Sequence, residues 1–177
     1  MSVDRLEKPT DHLSDLLEFV FRVYRSTGGR YPALEWVERK PHPEDFSAFS
    51  EVYLPFLRFR LEEEFDEIYV LKDDKGRIVG TVALVHNLAE DKRVWWVPER
   101  LKRDGVGLIE FFMVDPEYRG RGYGERLLNM AIGRLREMRR EIYVITFPHL
   151  EAYGYYLRRG FVKVMDYREF VVLRFQG

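Results

Sequence analysis

The sequence predicts a single α/β (α+β) domain, a mixed central sheet flanked by helices, and three observations carry that prediction. The 177 residues are enough for one sizeable core. Apolar runs of strand length and amphipathic helical stretches follow one another with no linker, repeat or low-complexity segment between them. The order is helices, a hairpin, then strand, glycine-rich turn, helix, strand, helix and two strands, which calls for a mixed sheet.

Each element has its own warrant. Residues 3–6 form a short first strand. Residues 10–29 read as a helix: Thr10 is its candidate cap, Leu13, Leu16, Leu17, Val20 and Tyr24 share one face, and Gly28 and Gly29 stop it. A second helical stretch runs over about residues 44–65, with Pro55 as its expected kink. Strands 68–72 and 78–86 form a hairpin about a turn at 73–76. Residues 87–106 are a long connection in which "VPERLKR" is a candidate short helix. Residues 108–114 are apolar except for Glu110, as a central strand should be. A helix over about 124–140 turns Leu127, Leu128, Ala131, Leu135 and Met138 inward. "EIYVITF" is another buried strand, 149–159 a helix ended by Gly160, and "FVKVMDYREFVVLRF" a closing pair of strands.

Composition removes several function classes. A net charge of −1 argues against a dedicated nucleic-acid binder, although residues 115–140 are locally basic and 60–67 strongly acidic. No apolar run approaches the roughly 20 residues a membrane span needs, and "MSVDRLEKPTD" has no signal-peptide core. Without cysteine there is no disulfide, no catalytic thiol and no thiolate metal site, and a cytoplasmic location is expected by default. Few amide side chains and many ion-pair formers hint at a thermophilic source.

The chemistry is concentrated in "FFMVDPEYRGRGYGERLL". Gly120, Gly122 and Gly124 sit between a strand and a helix, where bare backbone can approach a ligand. The first-turn amides of the helix lack intrahelical partners and lie at the positive end of its dipole, which suits phosphate. A dinucleotide motif requires glycine where Glu125 stands, and a P-loop requires a Lys and a hydroxyl that are missing. The bland alternative is an arginine-studded turn that merely caps a helix.

"VDPEYRGRGYGERLL" resembles the pyrophosphate-binding segment of the GNAT superfamily of acyl-CoA-dependent N-acyltransferases. Its core, [Q/R]-x-x-G-x-[G/A], is matched by Arg119, Gly122 and Gly124. Downstream, "HLEAYGYYLRRGF" matches a second family pattern through Ala152, Tyr156, Gly160 and Phe161. The specific part of the resemblance covers about residues 107–161, the acyl-CoA-binding core. His149 stands where many members carry an asparagine that contacts the CoA arm.

The resemblance implies acetyl-CoA as co-substrate, with no metal. Arg119, Gly120, Arg121, Gly122, Tyr123, Gly124 and Glu125 would wrap its pyrophosphate. Phe112, Met113 and Val114 would lend strand-edge hydrogen bonds to the pantetheine arm, and His149 would meet the arm beyond. The acetyl group would sit where strands part near Val114 and Thr146. Arg119, Arg121 and Arg126 suit the phosphates, or are solvated surface charges. Tyr156 would be the general acid for the leaving thiolate, with Tyr153 and Tyr155 packing on the sheet.

Glu110, ionisable within an apolar strand and on the same face as Phe112 and Val114, is either a general base tuned by burial or half of an ion pair. His149, His86 or ordered water are alternative bases. The acceptor is an amine-bearing small molecule, protein or peptide. The acidic run 62–67 either attracts it or is a solvated face, and Trp95 and Trp96 either cover a ligand or pack as core. The expected activity is N-acetyltransfer by direct attack in a ternary complex. A non-catalytic acyl-CoA sensor and a transferase for longer acyl groups are the alternatives.

Overall fold

Period-3.6 and period-2 apolar patterns resolve into four α-helices and seven strands among the described residues, 1–89 and 94–177 of a computed structural model. Residues 90–93 of the long connection lie outside the described residues. Strand β1 (Val3–Arg5) leads into a 3-10 turn at Pro9–His12 and helix α1 (Leu13–Ser26). Thr10 is not the cap: Pro9 opens the 3-10 turn, Thr10 lies inside it, and no side chain caps α1. Helix α2 (Phe46–Phe59) is capped by Asp45, whose carboxylate accepts the Ala48 amide at 2.9 Å. Past Pro55 it widens into a π-turn, Arg60–Glu64, closed by the Phe65 amide on the Arg60 carbonyl.

The hairpin β2 (Glu67–Lys72) and β3 (Ile78–Val85) is followed by a 3-10 turn, Glu99–Leu101, where the short helix was expected. Then come β4 (Val106–Val114), α3 (Tyr123–Glu137), β5 (Glu141–Thr146), α4 (Glu151–Leu157), β6 (Phe161–Tyr167) and β7 (Phe170–Phe175). Their spatial order is β1-β2-β3-β4-β5-β7-β6, antiparallel throughout except for β4 with β5. The final strand is therefore inserted between β5 and β6, and β6 becomes an edge.

Helices α1 and α2 cover one face, packing Leu16, Phe19, Phe49 and Leu57 on Val70, Ile78 and Met113. Helix α3 covers the other, with Leu127, Leu128, Ala131 and Leu135 against Val79, Ile109 and Val144. Each of these side chains larger than alanine contributes roughly 1.5–3 kcal/mol on burial. Among the described residues no helix is long and apolar enough to cross a membrane.

Two irregularities in β4 position the site. Pairing with β5 stops after Val106–Glu141, Gly107–Ile142 and Leu108–Tyr143, so the two strands part beyond Leu108. On its other edge β4 carries a bulge: Thr81 pairs with Met113 but Ala83 with Glu110, Phe111 has φ +53°, and the buried Thr81 hydroxyl donates to the Phe111 carbonyl at 2.7 Å. The extra residue reverses the in-and-out alternation. Glu110 and Phe111 face α2, whereas Phe112 and Val114 face α3. The expectation that Glu110 shares a face with Phe112 and Val114 is thereby corrected.

Candidate active site

The loop between β4 and α3 is shaped by its glycines. Gly120 (φ +76°) and Gly122 (φ +82°) hold left-handed conformations, and a Cβ on either would meet nothing within 4 Å. That side of the backbone is open to a ligand. Gly122 is the N-cap of α3 and no side chain caps the helix; the Arg126 amide on the Gly122 carbonyl is its first rung. The amides of Tyr123, Gly124 and Glu125 precede that rung, at the positive end of the dipole. Gly124 is needed for closeness: a Cβ there would lie 3.3 Å from the Tyr155 hydroxyl and 3.5 Å from Phe112 and Val114. Arg119 pins the loop to the strand, its Nε donating to the Val114 carbonyl at 3.1 Å.

A cleft of about 840 Å³ runs from this loop through the parting of β4 and β5 to the α1–α2 side. Phe112, Met113, Val114, Arg119, Gly120, Gly122, Gly124, Glu125 and His149 line it, as do Glu110 and Tyr156. Two predicted contacts stay outside. Arg121 is exposed with its guanidinium 5.3 Å from the Tyr118 ring, and Tyr123 packs beside Tyr118. Arg126 instead donates to the Met1 carbonyl. The cations that do line the cleft besides Arg119 include Arg158 and Arg159 of the "LRRG" run, which the sequence reading passed over as a helix end.

Tyr156 is buried between Phe112 and Phe161, with ring centroids 6.0 and 5.4 Å away, and lines the cleft. Burial pushes its phenol well above the usual range, so it remains protonated. Tyr155 packs against Phe112 at 5.6 Å and under the Arg159 guanidinium at 3.5 Å, but it lines the cleft as well, and burial raises its pKa too.

Sequence and fold both have known relatives. The model of the Acetyltransferase (GNAT) family matches residues 31–161. The chain belongs to the GNAT family. It is 54% identical to a proposed acetyltransferase of Pyrococcus horikoshii whose crystal structure superposes with a TM-score of 0.80, covering 98% of this chain and 96% of that one. The PaiA N-acetyltransferase of Thermoplasma acidophilum, solved with coenzyme A, shares the fold at TM-score 0.65 and 15% identity, each chain being fully covered. Among curated proteins, the uncharacterized N-acetyltransferase MJ1207 of Methanocaldococcus jannaschii is 30% identical over 153 residues, 85% of this chain. This chain spans only 57% of that relative's length.

At the other end of the GNAT cleft, Glu110 is anchored rather than free. Its Oε2 accepts from Arg60 Nη2 at 2.9 Å and its Oε1 from the Trp96 indole at 2.6 Å. Arg60, at the start of the π-turn, also meets buried Glu64 at 2.8 Å and lies over the rings of Phe65 and Phe56 at 4.7 and 5.2 Å. Burial, the largest single influence, would lower the Arg60 pKa; the Glu64 carboxylate together with Tyr53 and Tyr31 outweighs it and the net shift is upward. Neither Arg60 nor its aromatic cage was identified as part of the site from sequence. The only signal is an arginine recurring inside the apolar helix "LPFLRFRLEEE".

The remaining candidates sort by position. His149 lines the cleft beside Phe147. His86 does not line it: its Nε2 meets Glu67, which Arg134 also grips at 3.1 and 3.2 Å. That corrects its place among the alternative bases. The acidic run is neither a lure nor simply solvated, because Glu64 and Glu67 are buried in ion pairs and Glu62 reaches Arg58. Trp95 is part-exposed and Trp96 buried, and both line the cleft.

Proposed function

We propose that the protein is an acetyl-CoA-dependent N-acetyltransferase acting on a primary amine by direct attack in a ternary complex. The observation that carries this reading is a cleft through the sheet with a phosphate cradle at one end and an anchored carboxylate at the other. The open sides of Gly120 and Gly122 and the uncapped start of α3 fit a diphosphate. Acetyl-CoA supplies the thioester, and the chain's own groups do the rest.

The Asp115 amide bonds to Val79 on the β3 edge, so alternation turns the Val114 and Phe112 amides towards the parting. They are the donors for charge developing on the thioester oxygen. Tyr156 gives its proton to the departing sulfur. A primary amine such as lysine has a pKa of about 10.4 in water and must lose a proton before it attacks. Glu110, whose oxygens each keep a further lone pair, receives that proton directly or through water. With no cysteine in the chain, direct transfer needs no thiol intermediate.

The test is calorimetric titration with acetyl-CoA, with NADH as control. Saturable binding of acetyl-CoA alone, followed by amine-dependent release of CoA, is the expected result. Binding of NADH alone would replace this reading with a dinucleotide one, and acetyl-CoA binding without transfer to any amine would leave a sensor.

A further inference from the structure

Past Glu110 the cleft opens between aromatic rings that the transfer chemistry does not require. Trp36 packs against Phe56 with centroids 4.6 Å apart, Phe56 meets Trp96 at 6.0 Å, and Trp96 meets Trp95 at 5.4 Å. Trp95 continues to Phe170 at 6.2 Å, and Phe170 to Phe147 at 4.7 Å. The result is an arc around the acceptor end, and all three tryptophans of the chain line the cleft. Trp36 and Trp95, the two ends of the run Trp36–Phe56–Trp96–Trp95, are 44% and 40% exposed. Large rings left in water beside a cleft are surface awaiting an apolar partner.

The charges narrow what that partner is. Arg30, Arg60, Glu35 and Glu110 line the cleft with these rings, and the adjoining pocket over Phe147 adds Lys40 and Glu169, so cations and carboxylates are matched three to three among these described residues. A polycation finds no acidic well there, but one ammonium finds Glu110. Distances are short as well: Glu110 bonds the Trp96 indole directly, and Trp95 is the next ring. An amine on Glu110 therefore stands about two or three bonds, on the order of 4 Å, from a ring stacked in the arc.

We infer that the acceptor is an arylalkyl monoamine, with its ring held by Trp36 and Trp95 and its amine on Glu110. This deepens the acetyltransfer reading and rests on it. Attack forms the amide C–N bond and breaks the C–S bond; of the two protons the ammonium loses, the first passes to Glu110 before attack, and the second, shed as the tetrahedral adduct collapses, restores the Tyr156 phenol that has protonated the sulfur.

The test compares 2-phenylethylamine with n-butylamine, spermidine and a lysine peptide. CoA release can be followed with a thiol reagent, because the protein has no cysteine of its own to react. The expected kcat/KM for 2-phenylethylamine is at least about tenfold above the others. Trp36→Ala and Trp95→Ala, at part-exposed positions, should each raise its KM about three- to tenfold, the scale of one aromatic contact, while the KM for acetyl-CoA stays put. Equal or faster turnover of any ring-less amine overturns the inference, as does a tryptophan variant that affects n-butylamine equally. A second arm needs no acetyl-CoA: titration of 2-phenylethylamine alone, read by tryptophan fluorescence that arises wholly from the cleft. Saturable quenching supports the arc and its absence sinks it, whatever becomes of the acetyl-CoA titration.

Discussion

Tyr156 and Arg60 show how differently two residues can enter one site. Tyr156 was legible because a tyrosine at fixed spacing before Gly160 and Phe161 carries the family pattern. Its burial keeps the phenol protonated, so removing the hydroxyl should affect the chemical step and little else. Tyr156→Phe is expected to lower kcat about 100-fold while the Kd for acetyl-CoA, measured by calorimetry, stays within a factor of two or so. Arg60 was not legible, since its role depends on Glu110, fifty positions away, and on Trp96. The lone carboxylate in β4 was visible, but its partner was not. Arg60→Met should cost about 3–5 kcal/mol in urea unfolding, because Glu64 and Glu110 lose a buried counter-charge. The same variant should fold better with Glu110→Gln added than alone.

At the scale of elements, the glycine loop and α3 were the most readable part of the chain. Three glycines in five residues have a backbone reason, and the left-handed Gly122 at the N-cap is that reason made visible. Gly122→Ala should destabilise the protein by about 1–2 kcal/mol, the cost of a left-handed L-residue. It should also weaken acetyl-CoA binding, whereas Gly133→Ala, in the helix body with open space around it, should do neither. Thermal melts and titration of both variants check this. The bulge was unreadable: in "LIEFFMV" nothing marks an extra residue, because both faces of a central strand are apolar and parity leaves no trace. That hidden residue is why Glu110 was assigned the wrong face. The insertion of β7 between β5 and β6 does leave a trace: "FVVLRF" is apolar and mostly buried, whereas "FVKVMDY" carries Lys163 and Asp166 and is mostly exposed, as an edge strand is.

At the scale of the whole molecule, one buried carboxylate ties the amino-terminal half to α3. Glu67 accepts from Arg134, Tyr69 and His86, with Arg5 3.7 Å away. Burial alone would raise its pKa, but these donors hold it down to about 2 from 4.5. A depressed carboxylate contributes stability that is complete above about pH 4.5 and drains away as the pH falls through about 2. On the order of 3 kcal/mol should be lost over that range. Glu67→Gln should flatten the acid limb of stability against pH, measured by unfolding at pH 3 and pH 6, while lowering the plateau. The parting of β4 and β5 acts at the same scale. Strands β1–β4 and β5–β7 are two panels joined by three residue pairs, and the far end of that seam has no rungs. Anything laid along it that hydrogen-bonds the β4 edge and packs on α4 touches both panels at once. On the acetyltransfer proposal the substrate is a clasp: the sheet is left unlaced beside the proposed site, and the missing stitches would be the ones acetyl-CoA brings.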